Sequence, residues 1–260
     1  MKIHLEDALA PLPHNLRRRV FAMLRPGVYK RMSRLRQQTN AGPDANSLAG
    51  FDKLGCIFVH IPKAAGVSVC HSLFGNLGGG HLDLRRYQMI FSEDDYDRYF
   101  KFSFVRNPWD RLYSAYRFLS SGGMNDSDAR WAAEHLSAYP DFKGFVMQGL
   151  SNRKIIDQKH MRSQCDYLKP AGRVEPGVDF IGRFESIEQD FRTIGDRLGL
   201  DVELQKKNVT LAVSHTDYRD VYNDEMVEQV GVIYKDDIDT FGYSFNATAT
   251  DANKSSGDTK

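Results

Sequence analysis

The sequence predicts an α/β fold with a central parallel sheet flanked by helices, and three apolar runs carry that prediction. A short apolar run, a loop and a helix-like stretch follow one another from Cys56, and the same order recurs from Lys101. Repeated strand, loop and helix units need crossover connections, which give parallel pairing with helices on the sheet faces. A third run at Val178–Gly182, again followed by helical periodicity, adds a strand.

The arm comes first. Leu16–Leu24 and Val28–Leu35 read as two short basic helices separated by the breaker Pro26-Gly27. Two readings stay open for it: a peripheral helical pair packed on the domain, or contact with anionic lipid at a membrane surface or with an acidic partner. Residues 40–50 look like a linker. Cys56–Ile61 is the first strand, and the helix behind it ends near Gly75. Lys101–Val105 is the second, and its helix runs from Pro108 to about Leu119, with Asn107 as cap, Pro108 at the first position and Asp110 as a capping-box acid. Leu112, Ala115, Tyr116 and Leu119 share one face of that helix, and Ser114 lies roughly 150° from its centre, away from the core. Ile187, Phe191, Ile194 and Leu198 mark the helix after the third strand, with Gly199 as its cap. Val227, Val230, Tyr234, Ile238 and Phe241 mark one final amphipathic helix closed by Gly242.

A chain of 260 residues, 41% hydrophobic and 12% aromatic, can bury one sizeable core. The expected organisation is a basic helical arm and linker (1–50), one main domain (51–245) and a disordered polar tail (246–260). The formal net charge of +1 hides an asymmetry, because residues 1–40 carry nine Lys and Arg against Glu6 and Asp7, leaving the rest net negative. A folded body without a basic excess argues against a nucleic-acid partner. Cys56, Cys70 and Cys165 are odd in number and lack CxxC spacing, which points to neither a disulfide framework nor a zinc site and fits a reducing compartment. No run approaches the roughly 18 apolar residues of a transmembrane segment, and the start lacks the apolar block of a signal peptide. A cytoplasmic location is therefore expected. The sequons Asn208-Val-Thr210 and Asn246-Ala-Thr248 would matter only in a secreted chain.

Two segments carry candidate chemistry. In His60-Ile-Pro-Lys-Ala-Ala-Gly-Val-Ser68, a buried strand delivers small residues to a helix start, where unpaired N–H groups converge on an anion. Ala64, Ala65 and Gly66 permit close backbone approach, Lys63 supplies a positive charge and Ser68 a hydroxyl. An ordinary strand-to-helix turn has the same composition. The triphosphate motif GxxxxGK[ST] is a poorer match, since its Lys follows the second Gly, whereas Lys63 precedes the small-residue turn. In Val105-Arg-Asn-Pro-Trp-Asp-Arg-Leu-Tyr-Ser114, Arg106 offers a planar pair of donors and Ser114 a hydroxyl to a phosphate monoester. Taken singly, Arg106 also reads as a surface salt-bridge partner and Ser114 as a solvated serine.

With both segments in place, the chain resembles the sulfotransferases that use 3′-phosphoadenosine 5′-phosphosulfate (PAPS), particularly the Golgi carbohydrate sulfotransferases and their bacterial relatives. Their His-Ile-Pro-Lys-(Thr)-Gly-Gly-(Thr)-Ser loop holds the 5′-phosphosulfate, and an Arg-Asn-Pro-x-x-Arg-x-x-Ser segment holds the 3′-phosphate. The resemblance implies a P-loop-like sulfotransferase fold, with residues 51–245 as the catalytic domain of a bacterial protein. It implies PAPS as donor co-substrate, no metal, and an acceptor hydroxyl on a glycan. Lys63, Ala64, Ala65, Gly66, Val67 and Ser68 then bind the 5′-phosphosulfate, and Arg106 and Ser114 the 3′-phosphate. The chain departs from the family at Ala64, Ala65 and Val67, and Val67 lacks the hydroxyl often found there. Weaker similarity runs through Gln164–Leu168, Asp179–Glu185, Tyr218–Tyr222 and Phe241–Phe245. Arg183 either lines the donor pocket or pairs with Glu185.

Lys63 is the expected catalytic cation at the bridging oxygen. His81 is the expected general base, because His titrates near neutrality and related glycan sulfotransferases carry a His in a comparable loop. A structural role for His81 is the alternative, with Asp83 or Glu185 then as base. His60 reads as a structural histidine, and His71 has no distinguishing context. Two other functions stay open: a non-catalytic module binding PAPS or its desulfated product, and a nucleotide-dependent kinase. The acceptor is not legible, since it depends on loops such as 121–137 and 152–160.

Overall fold

A continuous apolar run suits a strand covered on both faces, and Cys56-Ile-Phe-Val59 forms such a strand, with every residue buried. In the computed structural model, which describes residues 4–205 and 217–246, this strand is β1 (Cys56–Val59). It pairs in parallel with β2 (Phe100–Val105), which pairs in parallel with β3 (Phe180–Arg183), in the order β1-β2-β3. The fold is thus mixed α/β, with a three-stranded parallel sheet flanked by helices. The register sets Phe58 beside Phe102 and Val105 beside Arg183. Two polar residues sit inside the sheet and are satisfied there. Ser103 donates to the Val59 carbonyl at 2.7 Å, and the Lys101 ammonium donates to the carbonyls of Tyr96 and Tyr99 at 3.0 and 2.8 Å.

The chain divides into two compact units, the first comprising residues 1–61, 65–105 and 164–209, the second residues 62–64, 106–163 and 210–260. The first unit contains the sheet. Its arm forms α1 (His14–Leu24) and α2 (Pro26–Gln37), which pack on each other and on the helix Leu84–Ile90. Phe21 and Met32 anchor the arm in the core, His14 Nε2 donates to the Phe91 carbonyl, and Arg36 bridges Asp52 and Asp95. Pro26 begins α2 instead of lying between two helices, because its missing N–H costs nothing at a first helical position. The helix Ala49–Leu54, which begins in the last two residues of the expected linker, packs on β1.

Behind β1 comes α3 (Gly66–Phe74), and the helix after β3 (Ile187–Leu198) packs against that strand and ends at Gly199, as the sequence periodicity predicts. In the second unit the helix Pro108–Ser120 carries Trp109, Leu112, Ala115 and Leu119 into a core shared with Phe145, Met161, Val230 and Tyr234. Ser114 is half-buried and outside that core. The expected single final helix is two, Asp224–Ile233 and Lys235–Phe241. The break falls at Tyr234, whose hydroxyl donates to the Met161 carbonyl at 2.5 Å. The segments 121–137 and 152–160, read above as loops, contain the helices Asp126–His135 and Arg153–Ile156. The sequon at Asn208 and the tail from residue 247 lie outside the described residues.

Candidate active site

The loop after β1 holds two non-glycine residues in the left-handed region, Lys63 at φ 68° and Ala65 at φ 60°. Each such residue costs roughly 1–2 kcal/mol, so surrounding contacts must hold the loop in place. In the first unit, Gly66 opens α3 against the ring of His60, and a Cβ at Gly66 would lie 1.9 Å from His60 Cδ2. Only glycine fits that approach, and His60 is 5% exposed. Its role as a packed histidine follows from this contact.

His81 lies beside His60, with ring centroids 4.4 Å apart in an edge-on arrangement. Its Nδ1 is 3.3 Å from the His60 carbonyl oxygen and donates to it in the matching tautomer. The turn Gly78-Gly-Gly80 delivers His81, with Gly78 and Gly80 both at positive φ. Asp83 caps the helix Leu84–Ile90 by accepting from the Arg86 N–H, which gives this carboxylate a structural task. Ser68 is buried on α3, and Val67 is half-buried beside it. Arg183 closes β3, and its main-chain N–H donates to Asp190 at 2.7 Å.

In the second unit, Arg106 and Lys63 come together across 43 residues of sequence. Arg106 Nη1 donates to the Lys63 carbonyl at 3.1 Å. Its Nε and Nη2 donate to the two carboxylate oxygens of Asp110, both at 2.7 Å. Asp110, in the first turn of the helix Pro108–Ser120, thus pairs with Arg106 as well as lying at the capping-box position. It orients the guanidinium, while Asn107 caps the helix through the Trp109 N–H. The Lys63 ammonium lies 4.3 Å over the Phe118 ring. Burial, and secondarily the Arg106 charge, push its pKa down from 10.5 to about 8. Ala64 is buried.

Arg111 is the residue that sequence reasoning passed over. It is 1% exposed, and it donates to the carbonyls of His160 at 3.2 Å, Arg162 at 2.6 Å and, more weakly, Pro62 at 3.5 Å. The guanidinium carbon sits 5.8 Å from the Tyr234 ring centroid. It thus ties the residue before Lys63 to the helix that follows Arg106. The signal was present as the second Arg of the Arg-Asn-Pro-x-x-Arg pattern. Its function as a loop clamp depends on carbonyls about 50 residues away in either direction.

The model of the sulfotransferase family matches residues 52–244. The chain belongs to that family. This sulfotransferase is also 29% identical over 117 residues to an uncharacterized protein of Archaeoglobus fulgidus, covering 45% of this chain and 82% of that protein. No solved structure matches it. The family match spans both the Lys63 and the Arg106 segments. Among the described residues of the sulfotransferase, no group of three or more His, Cys, Asp or Glu side chains could hold a metal ion, and no helix is long and apolar enough to cross a membrane. Cys56, Cys70 and Cys165 are buried free thiols.

Proposed function

We propose that this sulfotransferase takes the sulfuryl group from PAPS and passes it in line to a hydroxyl of a carbohydrate. The observation that carries the proposal is the hydrogen bond from the Arg106 guanidinium to the Lys63 carbonyl, which brings the two candidate phosphate-binding cations together. In this reading the strained loop at Lys63, Ala64, Ala65 and Gly66, with Val67 and Ser68, acts as a P-loop-like cradle for the 5′-phosphosulfate. Arg106 and Ser114 take the 3′-phosphate, with Asp110 setting the orientation of the guanidinium, and Arg183 lines the donor pocket.

A new bond forms between the acceptor oxygen and sulfur while the bond from sulfur to the 5′-phosphate oxygen breaks. The leaving oxygen keeps the electron pair, and Lys63 stabilises the charge that grows there. His81 receives the acceptor proton. Donation from Nδ1 to the His60 carbonyl leaves the lone pair of a neutral imidazole on Nε2, the form a general base needs. Carbohydrate as acceptor follows from the resemblance to glycan sulfotransferases, and the segments 121–137 and 152–160 are the candidates for selecting it.

The test is transfer of label from PAPS to a panel of glycans. Lys63→Ala should lower kcat by about 100-fold or more, with an unchanged circular dichroism spectrum. Arg106→Ala should weaken PAPS by about 10- to 100-fold while affecting adenosine 5′-phosphosulfate far less. Equal losses for the two donors would remove Arg106 from the 3′-phosphate site. Tight binding of the desulfated donor without single-turnover transfer would make the chain a non-catalytic binding module.

A further inference from the structure

Between Asp7 and Asp44 the chain has no acidic residue, while residues 17–36 carry eight Lys and Arg. This stretch is the α1–α2 hairpin. One side of it is anchored by Phe21, Met32 and His14, and by Arg18 donating to the carbonyls of Met89 and Ile90. The other side is open. Met23 is 80% exposed, Leu24 56% and Val28 36%, grouped at the end of α1 and the turn into α2, and Leu16, 46% exposed, lies in the first turn of α1. Arg19, Arg25, Lys30, Arg31 and Arg34 are exposed around them. Leu16, Arg19 and Met23 follow one another at helical spacing on one face of α1. A recess of about 330 Å³ opens beside this face, lined by Asn15, Arg18, Arg19, Ala22 and Tyr29.

A cationic surface attracts polyanions of any kind, but exposed apolar side chains at its centre gain nothing from a nucleic acid or an acidic glycan. They gain from an acyl boundary, where an amphipathic helix buries its apolar residues while flanking cations meet anionic headgroups. A second copy of the hairpin is disfavoured by its own charge.

We propose that the α1–α2 hairpin docks the protein peripherally on an anionic phospholipid bilayer. Met23, Leu24 and Val28 enter the acyl boundary, and the recess at Arg18 and Arg19 takes a lipid phosphate. The site is independent of the proposed transfer chemistry, so either can fail without the other.

The experiment is sedimentation of the full chain with vesicles of phosphatidylcholine alone or with about 30 mol% phosphatidylglycerol. Binding to the anionic vesicles only is expected, weakened by salt. Met23→Asp with Leu24→Asp should cut that binding by about tenfold or more, and the high exposure of both positions predicts an unchanged melting temperature. Two results would overturn the proposal. One is sedimentation with anionic vesicles no greater than with neutral ones. The other is wild-type binding by the double variant, the behaviour of a purely electrostatic surface for a soluble polyanion or acidic protein.

Discussion

Lys63 combines three features that pull in different directions: a left-handed backbone, an ammonium over an aromatic face, and burial beside a second cation. Burial and Arg106 together lower its pKa to about 8. Two consequences follow with definite sign. If protonated Lys63 stabilises the leaving group, kcat/KM should fall as pH rises through about 8, and Lys63→Arg should move that limb upward. For stability the folded pKa lies below the unfolded one, so between about 8 and 10.5 the unfolded chain holds more protons and stability rises with pH. Urea titrations at both ends of that window should show this gain in the wild type relative to Lys63→Met. An identical pH dependence in the two proteins would show that Lys63 is not perturbed. Arg106 illustrates a different residue-scale point. Its salt-bridge reading and its ligand reading are compatible, because a carboxylate that fixes a guanidinium also pre-orients it.

The decisive element is the loop between β1 and α3. Its strain was only partly legible. Small residues at 64–66 predict close backbone approach, but composition does not reveal that Ala65, standing where the family pattern has glycine, adopts a positive φ. Relieving about 1–2 kcal/mol of left-handed strain, less about 0.4–1 kcal/mol for the looser unfolded chain, Ala65→Gly should stabilise the protein by about 0.5–1 kcal/mol. Thermal or urea unfolding would measure it, and a loss of stability would contradict the backbone assignment. Elsewhere, strands and capped helices follow the sequence because their signals are local: continuous apolar runs, Asn107 and Pro108 at a helix start, Gly199 and Gly242 at helix ends. One departure was non-local. Tyr234 fits the apolar stripe of one long helix, yet its bond to the Met161 carbonyl accompanies a break there.

At the scale of the whole chain, the basic arm and the acidic remainder nearly cancel, and the isoelectric point of about 7.7 lies close to neutrality. Solubility at low ionic strength should therefore be least near that pH and recover on adding salt to about 0.15 M, where the Debye length falls to about 8 Å. Turbidity across pH and salt would measure this, and a salt-independent profile would point to apolar association instead. The first unit takes in the arm that composition sets apart, because Phe21, Met32 and the Arg36 ion pairs tie it to the domain. By itself, the sequence determined the parallel α/β class, the two motif segments and the family they belong to, since apolar periodicity, caps and motif residues are properties of neighbouring positions. Tertiary structure alone decided that the Lys63 carbonyl meets Arg106, that Arg111 clamps three distant carbonyls and that His81 rests on His60. Those contacts join residues tens of positions apart, and only the packing of the chain brings them within bonding distance.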